Sequence, residues 1–120
     1  MIKVGHKTKI KYWGNYTVEK VAQLKKPVEC YSSQIGTALF HPTIVKISWE
    51  KPPSKDAHEF WFPYWMTIGG KEKYGQFAPM IGENALLELL QEAISQSFFS
   101  RAFLISLGMA ISEKLHEIQD

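Results

Sequence analysis

The period of the apolar pattern changes once along this chain, at Gly82. Before that point apolar and polar residues tend to alternate. After it, Leu86, Leu89, Leu90, Ala93 and Ile94 recur at three- and four-residue intervals. Alternation sends successive side chains to opposite faces of a strand, whereas the longer interval gathers them on one stripe of a helix. Strands first and helices last define an α+β chain. The expected architecture is an antiparallel sheet of four to five strands within residues 2–81, backed by two helices over about 83–97 and 101–118. With 120 residues, the chain has the size of one domain.

Residues 2–13 read as a strand. Ile2, Val4, His6, Thr8, Ile10 and Tyr12 share one face, and Lys3, Lys7, Lys9 and Lys11 share the other. Gly14-Asn15 suits a tight turn. Over 17–26, Val18, Val21, Ala22 and Lys25 sit at helical spacing between a Thr17 cap and a Pro27 stop, so a short helix is expected. A strand with Tyr16, Val18, Lys20, Ala22 and Leu24 on one face is the alternative. His41-Pro42 reads as a break, and Thr43 to Glu50 as a strand with Val45, Ile47 and Trp49 on one side. The stretch 51–58, KPPSKDAH, reads as a loop. Residues 59–81 read as an aromatic hairpin whose tip lies at Gly69–Glu72.

The second helix carries Leu104, Leu107, Gly108, Ile111, Leu115 and Ile118 on one stripe. Ala102, Ser106 and Ala110 recur every fourth residue and allow close approach of another backbone. With Leu107 they form the expected oligomer interface. Phe98, Phe99, Phe103, Ile105 and Met109 widen the apolar surface, so this helix is expected to be covered by the sheet and by a second copy.

Charge separates along the chain. Residues 1–26 carry a net +6, residues 27–80 are neutral and residues 81–120 carry −4. Such a split favours a polyanion or an acidic protein surface near the basic end. A single cysteine, Cys30, excludes an internal disulfide and a four-thiolate zinc site. The longest nearly apolar run, 102–111, is about half of what crosses a bilayer. A cytoplasmic protein without membrane association is the expectation.

Cys30, His41, His58 and Glu59 are the only set that offers a nucleophile, a base and an acid. Cys30 in a strand is more often a small buried apolar residue. His58-Glu59 lacks the second histidine of a helical zinc motif. No catalytic, metal or cofactor motif stands out, and a non-enzymatic protein is expected. The aromatic hairpin and the lysine strand point instead to nucleic acid, single-stranded DNA or RNA before duplex. In that reading Lys7, Lys9 and Lys11 meet phosphates, Trp61, Trp65 and Tyr74 stack on bases, and Lys71 and Lys73 assist at the hairpin tip. The alternative is a protein-interaction subunit that assembles through its apolar last helix and aromatic hairpin.

Overall fold

The computed structural model describes residues 1–10, 14–52, 58–75 and 80–118. Its elements are β1 (Lys7–Ile10), β2 (Gly14–Gln23), β3 (Val28–Ser32), β4 (Gly36–Trp49), β5 (His58–Trp61), β6 (Tyr64–Ile68), β7 (Lys71–Tyr74), α1 (Glu83–Ser95) and α2 (Arg101–Glu117). The α+β class and the two helices agree with the sequence reading. The sheet has seven antiparallel strands rather than four or five. Lys11, Tyr12, Trp13, Phe77 and most of the 51–58 loop lie outside the described residues.

Everything is organised on β4. One of its edges pairs with β3 over Gly36–Phe40 and then with β2 over Thr43–Trp49. The other edge pairs with β6 over Ala38–Pro42 and then with β5 over Val45–Ser48. The expected break at His41-Pro42 is therefore absent, and the hydrogen-bond directions explain why. Thr43 donates its N–H toward the β5–β6 edge, to the Pro63 carbonyl. The neighbouring Pro42 nitrogen consequently faces the β2–β3 edge, in the gap between those two strands. No ladder bond is lost there, so a proline is tolerated in a central strand. Pro63 marks the point where the aromatic stretch leaves one half of the sheet for the other. The 59–68 segment is thus two strands, β5 and β6, and only β6 and β7 form the hairpin, turning at Gly69-Gly70.

Residues 14–23 form a strand, not the expected helix. A bulge between Val18 and Lys20 shifts the register. An inserted residue reverses the alternation beyond it. Tyr16 and Val18 therefore face one way before the bulge, and Val21 joins them after it, whereas Lys20 and Ala22 face the other way. The apolar intervals three and four residues long, which mimic a helix, are the trace of that bulge.

The two sheet faces have different cores. On one, Ala22 and Ile44 meet Leu89 and Ala93 of α1 and Phe98 beyond it. On the other, Tyr16, Val18, Val45 and Ile47 pack together with Trp49 and Trp61. The sheet curls around this second face. The N-terminal ammonium closes the curl by pairing with Glu72 on β7 at 2.6 Å. Gly75 follows β7 where any Cβ would overlap the Tyr64 ring.

Helix α1 ends in a Schellman turn. Ser97 donates to the Ile94 carbonyl and Phe98 to the Ala93 carbonyl, and Phe98 packs back on Ala93. The Lys20 ammonium donates to the Gln96 and Ser97 carbonyls, placing positive charge at the negative helix end. Ser97 occupies the left-handed region at φ 59. Glycine avoids the Cβ penalty at such a position. Ser97→Gly is expected to raise the unfolding free energy by about 0.5–1 kcal/mol, read as a higher urea midpoint. A lower midpoint would show that the serine side chain contributes more than its backbone strain costs.

Helix α2 starts at Ser100, whose hydroxyl accepts from the Phe103 N–H. It is not covered by the sheet as expected. None of its residues is buried. Phe103, Ile105, Leu107, Met109, Ile111 and Leu115 are exposed by 39% to 66%. The Schellman turn directs the chain away from the sheet after Phe98 and Phe99, so α1 alone lies across the strands.

Candidate nucleic-acid interface

Strand register decides which side chains share a surface. Lys7 is paired with Thr17, Thr17 with Ser48, and Ser48 with His58. These four residues form one row across β1, β2, β4 and β5, about 14 Å from end to end at ordinary strand spacing. In the adjacent row Lys20 is paired with Lys46 and Lys46 with Phe60. Lys9 and Asn15 form the row on the other side. All of these lie on the face that carries α1.

The same sorting holds in the other half of the sheet. Lys73 is paired with Met66, and Met66 with Phe40, which stands two alternations from Ile44 beneath α1. Lys71 follows at Ile68. Every lysine on a described strand therefore lies on the helix side. Glu29, Glu59 and Glu72 lie on the opposite side, as their partners Leu39, Ile47 and Thr67 show. Glu19, the residue at the bulge, stays on the helix side and pairs with the His58 ring at 3.1 Å.

Helix α1 covers only the middle of the lysine face. Beyond its C-terminal end, an open cleft of about 560 Å³ is lined by Lys46, His58, Phe60, Phe99 and Phe103, among others. Phe60 and Phe103 are exposed, and the Phe99 and Phe103 rings stack at 4.8 Å. A second open cleft, of about 610 Å³, adjoins Lys7, Lys9, Asn15, Thr17 and Ser48. The Lys7 and Lys9 side chains are exposed and Lys46 is half-buried. Cations, hydroxyls and three phenylalanine rings thus border one surface, together with two carboxylates, Glu19 paired with His58 and Glu50 accepting from Asn15.

Trp61, Trp65 and Tyr74 are brought together, but on the other face. Their ring centroids lie 5.6–6.5 Å apart in tilted and edge-on pairs. Trp65 is only 9% exposed and Tyr74 is 52% exposed. They fill the curl of the sheet beside Tyr16, whose phenol is pushed above the ordinary tyrosine value by burial first and by the neighbouring Tyr74 second. The lysines of β1 and the tryptophans therefore do not share a surface. Lys71 and Lys73 are exposed on the lysine face, on β7, the opposite end of the strand order from β1. Lys11 lies outside the described residues. Phe60, Phe99, Phe103 and Lys46 have no place among the binding residues expected from the sequence, where Phe99 and Phe103 count only as apolar surface of the last helix. Their signal was the strand alternation at Lys46 and Phe60, whose meaning depends on which face α1 covers.

Cys30, His41, His58 and Glu59 do not converge. Cys30 Sγ lies 3.5 Å from the Ala38 carbonyl on the helix side. His41 meets the Thr67 hydroxyl on the opposite side, at 2.8 Å. Among the described residues no group of three or more His, Cys, Asp or Glu side chains is arranged to hold a metal. Ala102, Ser106 and Ala110 follow one line along α2, with Leu107 about 100° round the helix from Ser106, and all four are exposed. No helix of the described residues is long and apolar enough to cross a membrane. Comparison of the chain with protein-family models, with curated proteins and with solved structures finds no match.

Proposed function

We propose that this chain binds nucleic acid, single-stranded before duplex, on the helix-side face of its sheet. The observation that carries this reading is the sorting of every lysine of the described strands onto one face, with Glu29, Glu59 and Glu72 on the other and Glu19, at the bulge, the one strand carboxylate that stays with the described lysines. Lysines confined to an edge strand would serve only to discourage sheet pairing. Here they extend from β1 through β4 to β7, and β4 is central. Lys7, Lys9 and Lys46 meet phosphates. Phe60, Phe99 and Phe103 offer flat rings to unstacked bases, which favours a single strand. Titration of a short oligonucleotide, followed by anisotropy over a salt series, tests this. Three phosphate contacts give a slope of log K against log salt of about −2 for a single strand. Absence of binding at low salt by the folded protein refutes the proposal.

A second reading has its own observation: α2 presents apolar side chains on more than one face, and a helix of that kind is ordinarily buried. In this reading the chain assembles through α2, as a homo-oligomer or as a subunit of a larger complex. The Ile111→Glu, Leu115→Glu double variant is expected to reduce the particle mass by light scattering to that of one 13.8 kDa chain. A wild-type protein that is already monomeric rules out self-assembly and leaves a different protein as the partner.

A further inference from the structure

The face opposite the lysines carries a second arrangement, chemically the reverse of the first. Tyr16, Ile47, Trp49, Glu59, Phe60 and Trp61 line a cleft of about 330 Å³ at the β5 edge. Glu59 is half-buried there, and its Oε1 accepts the indole N–H of Trp49. No lysine, arginine, histidine or chain terminus among the described residues forms an ion pair with it. A carboxylate is thus held in place by one donor, beside aromatic rings, on a sheet face whose described strands bear no lysine.

We propose that Glu59, Trp49, Tyr16 and Trp61 form a receiving site for a guanidinium group. The same face already shows the underlying chemistry. The N-terminal ammonium is held by Glu72 at 2.6 Å, and Met1 borders the cleft of Trp61, Trp65 and Tyr74. Carboxylate and ring faces both attract a cation. Guanidinium is the better fit to the Glu59 cleft, because it is planar, stacks on aromatic rings and is less strongly hydrated than ammonium. One N–H meets the Glu59 carboxylate while the plane lies against Trp49 or Trp61. The Glu59 carboxylate lies on the other side of the sheet from the lysines, but Glu59 and Phe60 border both clefts, so the two sites meet at the β5 edge.

The test is titration of the ¹⁵N-labelled chain with N-acetyl-arginine amide, and separately with the citrulline analogue, its neutral isostere. The expected result is a saturable shift of the Trp49 and Trp61 indole N–H signals with the arginine compound and none with citrulline. Glu59→Gln keeps an acceptor for Trp49 but removes the charge. It is expected to weaken binding at least tenfold. Equal shifts with both compounds, or no saturable shift, overturn the site from the wild-type protein alone, whether or not the variant folds. Unchanged affinity in a folded Glu59→Gln protein overturns it as well. A short peptide with one central arginine separates the sources. Tighter binding than the free derivative assigns the site to a polypeptide partner, and equal binding assigns it to a small molecule.

Discussion

Phe98→Ala is expected to destabilise the protein by about 3–5 kcal/mol, the usual range for emptying a buried phenylalanine site. Phe98 is 1% exposed and packs with Ala22, Ile44, Leu89 and Ala93. Two of those neighbours are alanines, and short side chains cannot reach across the space a lost ring leaves. The ring also closes the Schellman turn, so its loss acts on local structure and on packing together. In a chain of this size the melting temperature falls by roughly 10–20 °C. Urea denaturation measures the effect as a lower midpoint at an unchanged slope. A loss below about 1 kcal/mol would mean that α1 is seated by Leu89 and Ala93 without the ring. The consequence reaches the site as well. Phe98 anchors the elbow that carries Phe99 and Phe103, so the proposed oligonucleotide binding is expected to weaken in the variant even under conditions where it remains folded.

Replacing Lys7, Lys9 and Lys46 together by glutamate is expected to lower oligonucleotide affinity by at least a hundredfold at low salt. Under the proposed function each replacement exchanges a charge that attracts phosphate for one that repels it, and the salt slope disappears with the contacts. Stability changes little, because Lys7 and Lys9 are exposed and a glutamate at position 46 stands across from Lys20. Reversal at Lys71 and Lys73 serves as the comparison. Those residues lie on β7, outside the lining of both clefts, and their reversal costs less. Equal losses from the two sets would show that net charge matters rather than a defined surface. No loss from the first set would remove the polyanion from this face.

The aromatic and basic residues illustrate how far sequence reading goes. Trp61 and Trp65, four residues apart, lie on one face and in contact, as period-two alternation predicts. The Lys7–Lys9 alternation also holds within β1. What failed was the assumption that two such patterns, on different strands, add up to one surface. Val45 stands opposite Trp61, and Lys7 belongs to the row through Thr17 and Ser48. Adjacent positions on β4 face opposite ways, so one residue of register separates a combined surface from two opposed ones.

Local chemistry accounts for the elements whose limits were legible in the chain. Helices α1 and α2 follow from apolar spacing, and the Gly69-Gly70 turn from two residues that accept positive φ without a Cβ penalty. These features depend on residues within a few positions of one another. The bulge in β2, the place of Pro42 in a central strand and the sorting of lysines from glutamates depend on pairing between residues far apart in the chain. So does the exposure of α2, whose apolar residues carry no mark of whether the sheet reaches them. Period two tells which side chains of one strand agree. Only the hydrogen-bonded register between strands tells which faces become the same side of the molecule, and so which charges and rings are gathered together.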